Sequence, residues 1–112
     1  TYNRKGAQEK SEGAKPVGII AVGYGQTQGV PHKTKTAEQV SSYDGEAPQW
    51  FKDGIEAALL APTALAKQAF TINGIENKVS IFCEDGIFTG VDTGLVKYHF
   101  ELGAGKDSFE WA

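Results

Sequence analysis

The sequence predicts an α+β fold, a small sheet packed with helices, and three observations carry that prediction. Two stretches, Trp50–Leu59 and Thr89–Gly103, place apolar residues at helical spacing. Phe70–Asn73 and Lys78–Glu84 both have extended patterns, and the NGIEN between them has the chemistry of a hairpin turn. A chain of 112 residues, 40% hydrophobic and 22% charged, has the size and composition of at most one soluble globular domain. Such a chain buries roughly two thirds of its unfolded surface.

Residues 1–15 are polar and carry four cations and two carboxylates with no apolar face. They are expected to form a linker or tail outside the core, with a helical turn around Ala7–Ser11. Val17–Val22, VGIIAV, is a continuous apolar run and predicts a strand covered on both faces. Gly23, Gly25 and Gly29 follow in a loop whose GxGxxxG spacing is not the dinucleotide fingerprint. Val30–Lys35, VPHKTK, is the densest basic cluster. Thr36 and Gln39 then have capping-box spacing for a short helix, Ala37–Ser42. His32, Lys33 and Lys35 thus stand beside a helix start, an arrangement suited to an anion such as phosphate and equally to a solvated loop. Ser42–Ala47 is read as a further loop, turning at Asp44-Gly45.

The stretch WFKDGIEAALLAPTALAKQAF, Trp50–Phe70, is the longest structured feature before the hairpin. Pro48 stands near its first turn, where a missing N–H costs nothing. Trp50, Phe51, Ile55, Ala58 and Leu59 make its apolar face, and Pro62 interrupts the ladder because its ring clashes with a carbonyl one turn back. Thr63 is positioned to cap a second helical segment, Ala64–Gln68. Two readings of this break stand side by side. It is a kinked core helix, or it is a turn whose N–H groups and hydroxyl hold the polar edge of a flat apolar ligand.

In the second strand Val79, Ile81 and Cys83 share one face, and Cys83 is read as a buried structural thiol. The last helix places Val91, Leu95, His99 and Leu102 on one face, extended by Val96 and Phe100, and should be largely buried. Gly103 and Gly105 stop it, and Ser108–Trp111 ends the chain as a short strand or packed tail. His99 reads as a satisfied core or interface histidine.

Several function classes are excluded or disfavoured. A net charge of −3 argues against a general nucleic-acid binder. The single cysteine rules out an internal disulfide framework and suits a reducing, cytoplasmic compartment. No apolar run approaches a membrane span. No HxxxH, CxxC or carboxylate-rich loop offers a metal site, and no nucleophile, base and orienter set is visible, so no residue is assigned as catalytic. An enzyme built on these residues would leave its chemistry to a bound cofactor. With no initiator methionine, the start at Thr1 reads as a cut within a longer protein.

Taken together, three segments give the chain its family likeness. It resembles the nitroreductase-like FMN proteins, in particular the branch with two half-domains in tandem. IIAVGYGQTQGVPHKTK is similar to that family's late IAxGY strand and its basic loop toward the flavin phosphate. WFKDGIEAALLAPTALAKQAF is similar to the early helix ending in APSxxNxQ, with Ala66 where the family has Asn. VDTGLVKYHFELGAG is similar to the DxGxxxxxxxLxAxxxG helix between halves. The resemblance implies that residues 16–112 are the C-terminal part of a nitroreductase-like domain, half of a dimer-like unit and inactive alone. It implies FMN as cofactor, NAD(P)H as reductant and a small-molecule acceptor, nitroaromatic or quinone-like. It places His32, Lys33 and Lys35 near the phosphate and Pro62, Thr63, Ala64 and Leu65 against the isoalloxazine ring. The partner it implies is the missing N-terminal half or a second copy. An alternative from another class is a non-catalytic interaction half-domain supplying a dimer-like surface.

Overall fold

The computed structural model describes residues 5–6, 14–15, 18–30, 34–63, 67–86 and 88–112. The helical turn expected at Ala7–Ser11 and the site residues His32, Lys33, Ala64 and Leu65 lie outside the described residues. The chain divides into two compact units, Thr1–Val30 and Pro31–Ala112.

In the first unit, residues 18–30 are irregular. The strand expected at Val17–Val22 is not formed over residues 18–22, where Ile20 is 89% and Val22 94% exposed. An apolar run becomes a strand only when its N–H and C=O groups find a neighbouring edge. Every strand of the sheet among the described residues comes from the second unit.

The second unit is a small α+β body. Its elements are α1 (Ala37–Val40), β1 (Ser41–Tyr43), α2 (Gln49–Ala58), β2 (Phe70–Ile75), β3 (Lys78–Cys83), α3 (Thr89–Ala104), a 3-10 turn (Lys106–Ser108) and β4 (Glu110–Trp111). The sheet has the order β1-β2-β3-β4. β2 and β3 form the expected antiparallel hairpin, with Ile72 opposite Ile81. β1 joins β2 in parallel and β4 joins β3 in parallel. The hairpin turn is shorter than NGIEN suggests. Asn73–Ile75 continue the strand, and only Glu76 and Asn77 turn, Glu76 at φ 54.

Local chemistry explains the other boundaries. α1 begins where Gln39 Oε1 accepts the N–H of Thr36 at 2.9 Å, as capping-box spacing predicts. It stops at Val40, two residues earlier than expected, because Ser41 Oγ donates to Ala37 O (2.6 Å) and Ser41–Tyr43 pair with β2. The loop expected from Ser42 is therefore a strand at its start. α2 ends at Ala58, four residues before Pro62. Pro62 has no N–H to give Ala58 O, and the N–H of Ala61 donates to it instead at 3.1 Å.

α2 buries Phe51, Ile55 and Ala58 against α3 and the inner face of the sheet, where Ile72 and Val79 are fully buried. The buried stripe of α3 is Val96, Phe100 and Ala104. The face expected to be buried is not: Val91 is 54% and Leu102 66% exposed, while Leu95 and His99 are half-buried. α3 is apolar on both sides, so spacing alone did not choose between them. Phe100 won because it is the side that meets glycine. A Cβ at Gly54 would lie 2.6 Å from the Phe100 ring, and one at Gly103 would lie 2.5 Å from both Ala57 Cβ and Asp53 O. Gly103 is therefore a packing residue inside the helix. The stop is Gly105, at φ 86, whose N–H donates to Glu101 O at 2.9 Å.

Around Phe100 the aromatic rings of Phe51, Phe109 and Trp111 close in at centroid distances of 5.9, 5.0 and 5.5 Å. Cys83, at the end of β3, is half-buried, not enclosed. No helix among the described residues is long and apolar enough to cross a membrane.

The helix crossing makes a direct prediction. Gly54→Ala should gain roughly 1 kcal/mol of helix propensity yet lose more, about 1–3 kcal/mol, to overpacking against Phe100. Urea denaturation should therefore show a net loss. In a Phe100→Leu background the same change should cost clearly less. Equal costs in both backgrounds would mean that the ring is not what Gly54 accommodates.

Candidate functional site

Three of the sequence-predicted site residues are described: Lys35 before α1, and Pro62 and Thr63 after α2. One residue brings these two segments together, and it is Gln68, just before β2. Gln68 is a buried polar side chain, 1% exposed. It is not in the helical conformation expected for Ala64–Gln68, since its φ is 50. Left-handed backbone in a residue with a Cβ has a cost, and it persists where surrounding contacts over-determine it.

Four hydrogen bonds are among those contacts. Gln68 Nε2 donates to Leu59 O at 2.9 Å, satisfying a carbonyl left over at the end of α2. Gln68 Oε1 accepts the backbone N–H of Lys35 at 2.7 Å. The Lys35 ammonium, Nζ, donates to Gln68 O at 3.1 Å. The N–H of Gln68 donates to Thr63 Oγ1 at 2.9 Å. Thr63 Oγ1 thus reaches five residues ahead to Gln68, and the segment Thr63 is expected to cap, Ala64–Gln68, lies largely outside the described residues.

The surroundings divide into a buried interior and an accessible rim. Ala61 and Gln68 are buried, Thr63 is half-buried, and Pro62 and Lys35 are exposed. The Lys35 ammonium has three donor hydrogens, one of them on Gln68 O, which leaves two for an anion. Thr63 accepts through its oxygen, which leaves its O–H to donate. A cation with spare donors and a hydroxyl therefore both bond to the backbone of one buried residue. Among the described residues, no buried side-chain nitrogen or oxygen is without a hydrogen-bond partner. The polar interior of the site is complete, and what remains available lies at its rim.

A separate cleft of about 320 Å³ opens between α1, β1 and α2. Glu38, Ser41, Tyr43, Phe51, Lys52 and Ile55 contribute to its wall, and Lys35, Pro62 and Thr63 do not. Its hydroxyls are already used within the fold: Ser41 on Ala37 O, Ser42 on Asn73 Oδ1 and Tyr43 on Glu76 O. His99 is likewise engaged, Nδ1 lying 2.9 Å from Leu95 O of its own helix.

Sequence reasoning missed Gln68, treating it as the end of a helical segment. Its signal was a polar amide between Pro62-Thr63 and the apolar start of β2, in the place of the final Gln of the APSxxNxQ pattern.

A sequence model of the family described as "Putative TM nitroreductase" matches residues 1–104, and the chain belongs to that nitroreductase-like family. Membership makes this a nitroreductase-type protein, of the oxidoreductase class. No curated protein and no solved structure matches the chain.

The bonding of Gln68 can be tested by stability. Gln68→Leu keeps bulk but strips Leu59 O and the Lys35 N–H of their partners, and a buried polar group left unpaired costs about 1–3 kcal/mol. Thermal or urea unfolding should show a loss in that range. An unchanged midpoint would mean that water or a neighbour replaces the amide at no cost.

Proposed function

We propose that the chain is the C-terminal part of an FMN-dependent flavoprotein that passes reducing equivalents from NAD(P)H to nitroaromatic or quinone-like acceptors. Its single strongest support is the joining of Lys35 and Thr63 through Gln68, a residue 33 positions from Lys35. These are members of the two stretches that resemble the phosphate-side and ring-side segments of the family. The donor set suits the cofactor. The ammonium of Lys35 offers two N–H groups to a phosphate, and the Thr63 hydroxyl beside the carbon surface of Pro62 suits the polar edge of a flat ring.

In this reading Lys35, with His32 and Lys33, holds the phosphate, while Pro62, Thr63, Ala64 and Leu65 face the ring. Ala66, in place of the family Asn, offers no amide to the cofactor. Bound FMN supplies the redox chemistry; the protein groups bind and orient it. Residues 1–15 are a linker or tail in this arrangement, and the protein works in the cytoplasm, where a lone thiol such as Cys83 stays reduced.

The outer face of α3 supports a partner. Val91, Tyr98 and Leu102 are all more than half exposed, and a helix apolar on both sides is normally buried on both. The proposed cover is the N-terminal half of a longer chain or a second copy. The same face favours the second reading, a non-catalytic half-domain that contributes only this surface. Yellow colour and flavin absorption in the purified full-length protein separate the two.

Two outcomes are expected. Lys33→Ala combined with Lys35→Ala should weaken FMN binding about tenfold or more in the full-length protein, because 1.4 kcal/mol is a factor of ten. It should weaken riboflavin, which lacks the phosphate, much less. Equal losses for both flavins would show that the loop acts through folding. The 112-residue chain should also self-associate at micromolar concentration in sedimentation, and Leu102→Lys on α3 should reduce that association. A monomer before and after the change would remove the case for a covered α3.

A further inference from the structure

We propose that Gln68 is the positioning residue of the phosphate site, holding Lys35 at the rim without itself touching the cofactor. This rests on the flavoprotein reading above. Gln68 is buried and neutral, so it does not balance a phosphate charge directly. Its effect passes through Lys35. Lysine is a point charge on a flexible stem, and a free lysine must be ordered each time it meets an anion. Here the order is already present. Nε2 of Gln68 is tied to Leu59 O at the end of α2, so the amide is anchored to the core. Its Oε1 then fixes the Lys35 backbone, and its own carbonyl takes one ammonium hydrogen. Both ends of the lysine are held, and two ammonium hydrogens remain for an anion. Preorganisation of this kind raises affinity by removing an ordering cost from the binding step.

The same residue also sets the other side of the site. Its N–H is on Thr63 Oγ1, which leaves the threonine hydrogen as the group available for donation. The two halves of the site are therefore not independent. A side chain that merely stabilised the fold would affect all ligands alike. A positioning residue acts on the phosphate contact selectively.

The experiment is a titration of FMN and of riboflavin, followed by flavin fluorescence, into the full-length protein and three variants: Gln68→Leu, Lys35→Ala and both together. Each variant is first checked for native circular dichroism. Gln68→Leu should weaken FMN about tenfold and riboflavin no more than about threefold. Adding Lys35→Ala to Gln68→Leu should cost little more, about twofold or less, because the lysine backbone has already lost the Oε1 bond that places it. Equal losses for the two flavins, or fully additive losses of the two substitutions, overturn the inference while leaving the flavoprotein reading intact. A wild type that binds neither flavin overturns that reading and this inference with it. Where Gln68→Leu does not fold, amide exchange in the wild type decides. FMN should slow exchange at the Lys35 N–H more than riboflavin does, and equal protection by both overturns the proposal.

Discussion

The ring of Phe100 occupies the space that a side chain at position 54 would fill, and the second unit depends on that close approach. It draws α2 and α3 together and sets which side of α3 faces inward. It also leaves Phe100 exposed on its other sides to Phe51, Phe109 and Trp111, so that the chain's last residues are gathered into the core. Full burial of a side chain such as Phe100 is worth about 1.5–3 kcal/mol, and edge-on aromatic neighbours add about 0.5–1.5 kcal/mol for each pair. Two glycines in helix interiors cost roughly 1 kcal/mol each in propensity, so the crossing returns more than they take away. The tail is secured further by Trp111 Nε1, which donates to Glu101 Oε1 at 2.8 Å, and by Lys97, whose ammonium lies 5.0 Å from the Trp111 ring.

The polar counterpart of this apolar crossing is Gln68. α2 must end before Pro62, and its end leaves carbonyls without helical partners. Gln68 meets one of them and turns the remaining capacity of its amide and backbone toward Lys35 and Thr63. The break in the central stretch is therefore the ground on which the proposed ligand reading is built. It is a structural end of a core helix, and its repair by a buried amide is what brings a cation and a hydroxyl to one rim. In a nitroreductase-type protein, that rim is where the proposed cofactor site falls.

The outer side of α3 is the complementary feature. One side of this helix is committed to the core, and its apolar side in solvent is the surface on which the proposed partner would sit. The exposed apolar run at 18–22 points the same way, since its composition is that of a covered strand. Both observations accord with a chain that works as part of a larger assembly.

Much of the architecture was legible in the residues. The hairpin followed from alternation: Val79 is buried and Phe82 is 65% exposed, as a period of two requires. The apolar face of α2, its end ahead of Pro62 and the start of α1 at Thr36 followed from spacing, proline sterics and capping chemistry, all local to the chain. The resemblance likewise assigned the family. What lies between distant segments was not legible. Strand β1 forms only because β2 stands beside it, and Val17–Val22 shows the converse, a strand-like composition that over residues 18–22 is not strand. The buried side of α3 was undecidable from a helix apolar all round, because the glycine at position 54 that selects Phe100 belongs to another element. Gln68 looked like a helical residue for the same reason. Its role is set by a carbonyl nine residues back and a lysine 33 residues back, and only the tertiary structure brings those groups to one amide.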